Sequence, residues 1–229
     1  MKGASVPNGR RFDEASRFTR PALPRPGGLL YHGAMRTDLP ALLLIDLQQC
    51  MASPDAGVRN NPDAETRIAA LLAAWRARAA PVVHVRHLSR DPCSGFAPGQ
   101  GGALFQPAFA PLAGEHVVDK NVPEAFVHSG LERWLRVRGI ERLVVAGVST
   151  NISVECSVRS AGNLGFDTTV AADAYFTFAR RDHAGVARGA EEVHAMSLAN
   201  LAGEYATVAD SGAVLRALDG DQAPGAQST

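Results

Sequence analysis

The sequence predicts an α/β fold, Rossmann-like, with a mainly parallel six-stranded sheet and helices on both faces. Three observations carry this. Apolar runs alternate with segments of helical spacing from Ala41 onward. Runs such as "ALLLID" are continuously apolar, as strands buried on both faces must be. At 229 residues the chain suits one medium-sized domain rather than two.

The elements follow in order. "ALLLID" reads as the first strand, "TRIAALLAAWRAR" as a helix and "PVVHVRH" as the second strand. The stretch Ser89 to Pro111, rich in Gly, Pro and Phe, reads as a loop or lid. "EHVVDK" is the third strand, "SGLERWLRVRG" a helix closed by Gly139, "RLVVAGV" the fourth strand, and "SVECSVRSAGNLG" a helix closed by Gly165. "DTTVAADA" supplies a fifth strand, "GAEEVHAMSLANLAG" a helix, and "YATVAD" the last strand before a short terminal helix. Residues 1–38, with "RPALPRPGG", form an arm, 39–219 the domain and 220–229 a polar tail.

Composition narrows the function. Lys plus Arg, 23, balances Asp plus Glu, 23, so neither nucleic acid nor an anionic membrane surface is an expected partner, and a small-molecule substrate fits better. The three cysteines, Cys50, Cys93 and Cys156, are odd in number and irregularly spaced, which argues against a disulfide framework and points to a reducing cytoplasm. No apolar run reaches the roughly 20 residues of a membrane span.

Ligands of parallel sheets bind beyond the carboxyl ends of the strands. Asp46, His87, Lys120 and Ser149 end the first four, so all four are expected at one crevice. Gln48, His87, Phe105 and Phe126 are the candidates for contact with substrate. Asp46 closes an apolar run, where its charge needs compensation, and Lys120 is the candidate cation; an ordinary structural ion pair would look the same at this level. Thr150 and Asn151 can each cap the following helix, whose first turn carries Ser153 and whose amides can stabilise an oxyanion. A helix terminus activates a thiol far more than a serine hydroxyl, so Ser153 by itself reads as a plain helix serine. His84 and His87, three apart on a strand, point to opposite faces and make no metal pair. His194 reads as a helix-packing residue and Cys156 as a packed thiol on an adjoining helix face.

"LLLIDLQ", "VVDKNVPEAF", "LRVRGIERLVVAGVSTNISVE" and "SAGNLGF" together resemble the isochorismatase-like cysteine hydrolase superfamily, from about Ala41 to Asp210. The resemblance implies hydrolysis of a small amide or ureido compound without a cofactor, a homo-oligomer, and a triad of aspartate, lysine and cysteine carried onto Asp46, Lys120 and position 153. It also implies a cis peptide between Val148 and Ser149, with the amides of Ser149 and Ser153 as oxyanion hole. Three departures stand out. Position 153 holds serine, either as a disabling substitution or as the native residue, and the second case fits a vinyl-ether hydrolase using Asp46 as acid, or a silent binding protein. The Asp-x-His metal motif of nicotinamidases is missing from "CMASPDAGVRNN", so no bound metal is expected. Glu124 stands where many relatives have serine.

Overall fold

The computed structural model describes residues 37–220; the rest of the expected arm and the tail beyond Gly220 lie outside the described residues. The strands are β1 (Ala41–Ile45), β2 (Val82–His87), β3 (His116–Lys120), β4 (Arg142–Val148), β5 (Asp167–Phe176), the short pair β6 (Arg180–Arg181) and β7 (Ala187–Arg188), and β8 (Thr207–Ala209). The helices are α1 (Ala64–Ala77), α2 (Leu131–Val137), α3 (Glu155–Asn163), α4 (Ala190–Leu201) and α5 (Ser211–Gly220). Six strands form one parallel sheet in the order β3-β2-β1-β4-β5-β8, as the alternation of apolar runs and helices predicts. None of the described helices is long and apolar enough to cross a membrane.

Every residue of β1 is buried, because the strand is central and covered on both faces. Alternate side chains enter two cores. Leu42 and Leu44 pack with Ile68, Leu71 and Trp75 of α1 and Val214 and Leu218 of α5. Ala41, Leu43 and Ile45 pack with Leu131 and Leu135 of α2, Val154 just before α3, Val158 of α3 and Leu201 of α4. Each fully buried Leu, Ile or Val contributes roughly 1.5–3 kcal/mol, so the sheet is clamped from both sides. Gly139 and Gly165 end α2 and α3 in left-handed conformations, φ 66° and 85°.

β1 and β4 approach so closely that one position admits no side chain. A Cβ on Gly147 would stand 2.2 Å from the Ile45 carbonyl oxygen, and its φ is 138°. That contact sits one residue before Asp46, so Gly147 sets how the two strand ends meet.

The Ser89–Pro111 connection is irregular as expected, apart from single 3-10 turns at Gly101–Ala103 and Pro107–Phe109. Its far end is anchored by Glu115, which accepts from Arg76 at 2.7 and 2.8 Å and from the Leu112 amide at 2.7 Å, and pairs with His84 Nε2 at 2.8 Å. Burial pushes the Glu115 carboxyl up, but Arg76, the Leu112 amide and His84 outweigh it and hold the carboxyl down at about 2. The β6-β7 pair was not anticipated from sequence. Two-residue strands leave no periodicity to read, and this pair is organised by Asp182, which accepts from the Ala184 and Val186 amides and from Arg188.

Two predictions follow from these contacts. Gly147→Ala should destabilise the protein by about 2 kcal/mol or more in urea unfolding, since both space and dihedral exclude a side chain; an unchanged midpoint would contradict the close approach. Glu115 is depressed relative to an unfolded value near 4.3, so its stabilising effect is complete above that pH and is lost as pH falls toward about 2. The stability gap between wild type and Glu115→Gln should therefore close across that window, and a gap independent of pH would refute the assignment.

Candidate active site

Asp46 follows the last residue of β1, in a left-handed conformation with φ 52° that Asp tolerates better than most residues. The Gln48 amide donates to its carbonyl at 2.7 Å, which turns the chain sharply and leaves the carboxylate over the sheet end, only 3 % exposed. Lys120 at the end of β3 donates from Nζ to Asp46 Oδ2 at 2.8 Å and to Ser153 Oγ at 3.4 Å. β3 is separated from β1 by β2. At roughly 4.8 Å per strand spacing, the two backbones lie about 10 Å apart, so only a long side chain can cross the end of β2 to reach the carboxylate. The lysine ammonium is thus buried between a carboxylate and a hydroxyl.

Burial pushes the Asp46 carboxyl above its ordinary range, against the opposing pull of Lys120. Its second oxygen, Oδ1, is buried without a hydrogen-bond partner. A carboxylate in this state is a stronger base than one in water, and an acid nearer to neutrality. His87 ends β2 beneath the crossing lysine. It is half-buried, meets Phe96 edge-on at 5.2 Å, and is kept neutral first by burial and then by the Lys120 charge. His84 lies on the opposite face, against Glu115 and Phe105, so the two histidines diverge as the strand period requires.

Ser153 stands in a single π-helical turn, Thr150–Val154, which leads into α3. The peptide between Val148 and Ser149 is cis. The Ser149 carbonyl accepts from the amides of Ile152 and Val154, both at 3.2 Å. The expectation that Thr150 or Asn151 caps the helix is corrected: Thr150 Oγ1 pairs with His194 Nδ1 at 2.9 Å, and Asn151 Oδ1 accepts from the Thr177 hydroxyl at 2.6 Å. Both side chains tie the turn to neighbouring elements, so neither is free to satisfy helix amides.

Three of the expected substrate contacts are placed differently. Gln48 is fully buried, and its amide is taken up by backbone: Nε2 donates to the carbonyls of His87 and Ala103, at 2.9 and 2.8 Å, while Oε1 accepts from the His87 amide at 2.8 Å. It clamps the lid to the ends of β1 and β2. Phe105 comes to the crevice by its backbone, pairing with Gln48, but its ring turns to His84 and Arg86. Phe126 packs on Phe166, just ahead of β5, which is the amino edge of the sheet. His87 alone of the four remains beside the pair. Ser157, which sequence reasoning passed over, donates to the Ser153 carbonyl at 2.6 Å and accepts from the Ala125 amide at 3.1 Å, joining the segment after β3 to the turn.

The constellation therefore gathers at the carboxyl ends of β1, β3 and β4, where the strand order changes direction between β1 and β4. The Isochorismatase domain model matches residues 40–213. The chain belongs to the isochorismatase family. The uncharacterised isochorismatase-family protein YrdC of Bacillus subtilis is 34 % identical over 73 % of this chain and 90 % of its own length. A crystal structure of an isochorismatase-family protein from Chromobacterium violaceum is 50 % identical, with a TM-score of 0.78 over 86 % of this chain and all of the other. A maleamate amidohydrolase of Pseudomonas putida is 31 % identical over 57 % of this chain and 69 % of its own.

Within this isochorismatase fold the thiols of Cys50 and Cys156 are poorly suited to attack. Burial pushes Cys50 up to about 11, with the Asp46 charge adding to it, and Cys156 is raised by burial and then by Glu155 and Glu124. Among the described residues no three His, Cys, Asp or Glu side chains form a metal-binding group.

Removing one partner of the buried pair strands the other charge. Lys120→Met should cost about 3–5 kcal/mol of stability, whereas Asp46→Leu combined with Lys120→Met should cost clearly less. Equal losses in chemical denaturation would mean that the two charges are not coupled.

Proposed function

We propose that the chain is a cofactor-independent hydrolase of a small amide or ureido compound, with residue 153 as nucleophile. The single observation that carries this is the buried Lys120 ammonium, which touches both Asp46 and Ser153, themselves buried. In this reading Asp46 takes the proton of residue 153 as its side chain bonds to the carbonyl carbon. The amides of Ser149 and Ser153 receive the developing oxyanion. Asp46 then returns its proton to the departing nitrogen as the C–N bond breaks, and water releases the acyl group from residue 153. Lys120 fixes the carboxylate and offsets its charge throughout. The similarity to a maleamate amidohydrolase supports an amide as the bond attacked.

Serine makes this a weak catalyst as the chain stands. A carboxylate, even one raised by burial, is a poor base toward a hydroxyl, while a thiol at a helix start ionises readily. A second reading is favoured by the unpartnered Oδ1 and the raised Asp46: a protonated Asp46 donating to the vinyl carbon of an enol ether, with water completing hydrolysis and no acyl-enzyme.

Ammonia release from a panel of small amides and ureido acids separates these. Ser153→Cys should raise turnover by about 100-fold or more, and Ser153→Ala should abolish it. Vinyl-ether hydrolysis that survives Ser153→Ala but not Asp46→Asn would instead establish the second reading.

A further inference from the structure

The turn that carries Ser153 is gripped from outside the site. Thr150 is fully buried one residue after the cis peptide; its hydroxyl meets α4, and its carbonyl, which accepts from the Glu155 amide at the start of α3, is also met by α4. His194 Nδ1 meets the Thr150 hydroxyl at 2.9 Å. One helical turn further, the Ser197 hydroxyl stands 3.2 Å from the Thr150 carbonyl and donates its proton at 2.6 Å to Glu155 Oε2. His194 and Ser197 are three apart, so they share the inward face of α4, and both are buried. Glu155, the first residue of α3, is further held by Arg159 at 2.8 Å.

This arrangement is more than helix packing. A π-helical turn is wider than its α-helical neighbours, and this one starts just after Ser149 and contains Ser153, the two residues whose amides would receive the oxyanion. Thr150 and Val154 are the completely buried residues of that turn, and Thr150, the polar one of the two, meets with its hydroxyl a histidine 44 positions along the chain. A valine would fill the same volume, so the hydroxyl is there to be held in one orientation.

We infer that His194 is a positioning residue: through the Thr150 hydroxyl it fixes the Ser149–Ser153 turn, and with it the nucleophile and the oxyanion amides. The inference rests on residue 153 being the reacting position. His194 touches no substrate atom and transfers no proton to one.

The test uses the full chain with Ser153→Cys, into which Thr150→Val, His194→Leu, both together, or His194→Asn are introduced. Iodoacetamide labelling of the thiol at position 153, resolved by peptide mass from Cys50, Cys93 and Cys156, reads the turn without any substrate. Steady-state kinetics on the amide panel reads kcat and KM. Thr150→Val and His194→Leu should each lower the labelling rate and kcat about 10-fold or more, with KM nearly unchanged, because small misplacements of a reacting group are costly. The double variant should be no worse than the worse single, since both break one link. His194→Asn, whose side-chain amide can reach the Nδ1 position, should restore most of the loss. Melting temperatures that fall while labelling and kcat stay fixed would reduce His194 to packing, and losses that multiply in the double variant would show that it acts by another route. Were the panel to give no turnover at all, the amidohydrolase reading would fail while the labelling rates still decided the role of His194.

Discussion

The site depends on one buried ion pair. Asp46 and Lys120 meet at 2.8 Å with almost no exposure of either side chain, and taking both charges out of water is tolerable only if each is the other's partner. Much of the local architecture serves that meeting. Gly147 lets β4 lie close to β1, the left-handed turn at Asp46 lifts the carboxylate over the sheet, and the length of lysine spans the end of β2. Ser153 is the third contact, brought by the π-helical turn after β4.

Burial then gives the pair its chemical character. Water would leave Asp46 a weak base and a fully ionised spectator at neutral pH. Desolvation raises its proton affinity while Lys120 keeps it accessible to ionisation, which is the balance that proton exchange with a neighbour requires. Burial raises the thiols of Cys50 and Cys156, which makes both poor rivals to position 153 in the proposed chemistry. His87 is neutral under the lysine and offers a hydrogen-bonding group without adding charge.

The sheet, its six core strands and the helices between them were legible because parallel strands buried on both faces read as continuous apolar runs and amphipathic helices repeat at their own period. Asp46 and Lys120 were legible for a related reason: a charge at the end of an apolar run must be compensated, and strand ends of a parallel sheet converge. Side-chain direction was not. Gln48 follows Asp46 and looks like a ligand contact, yet three backbone groups claim its amide. Phe126 follows Lys120 closely, but its ring turns back to Phe166. Thr150 and His194 stand far apart in sequence, and no local pattern marks a hydroxyl that meets a ring on a distant helix. The β6-β7 pair is too short to leave a period and is held by one aspartate.

The central claim is that Asp46 and Lys120 activate residue 153 toward a carbonyl. Intact-mass spectrometry of the Ser153→Cys protein during turnover of a slowly released amide, followed by peptide mapping, tests it most directly. The expected result is an acyl adduct confined to position 153 that fails to form when Asp46→Asn is added. Turnover with no adduct, or an adduct on Cys50, Cys93 or Cys156, would contradict it.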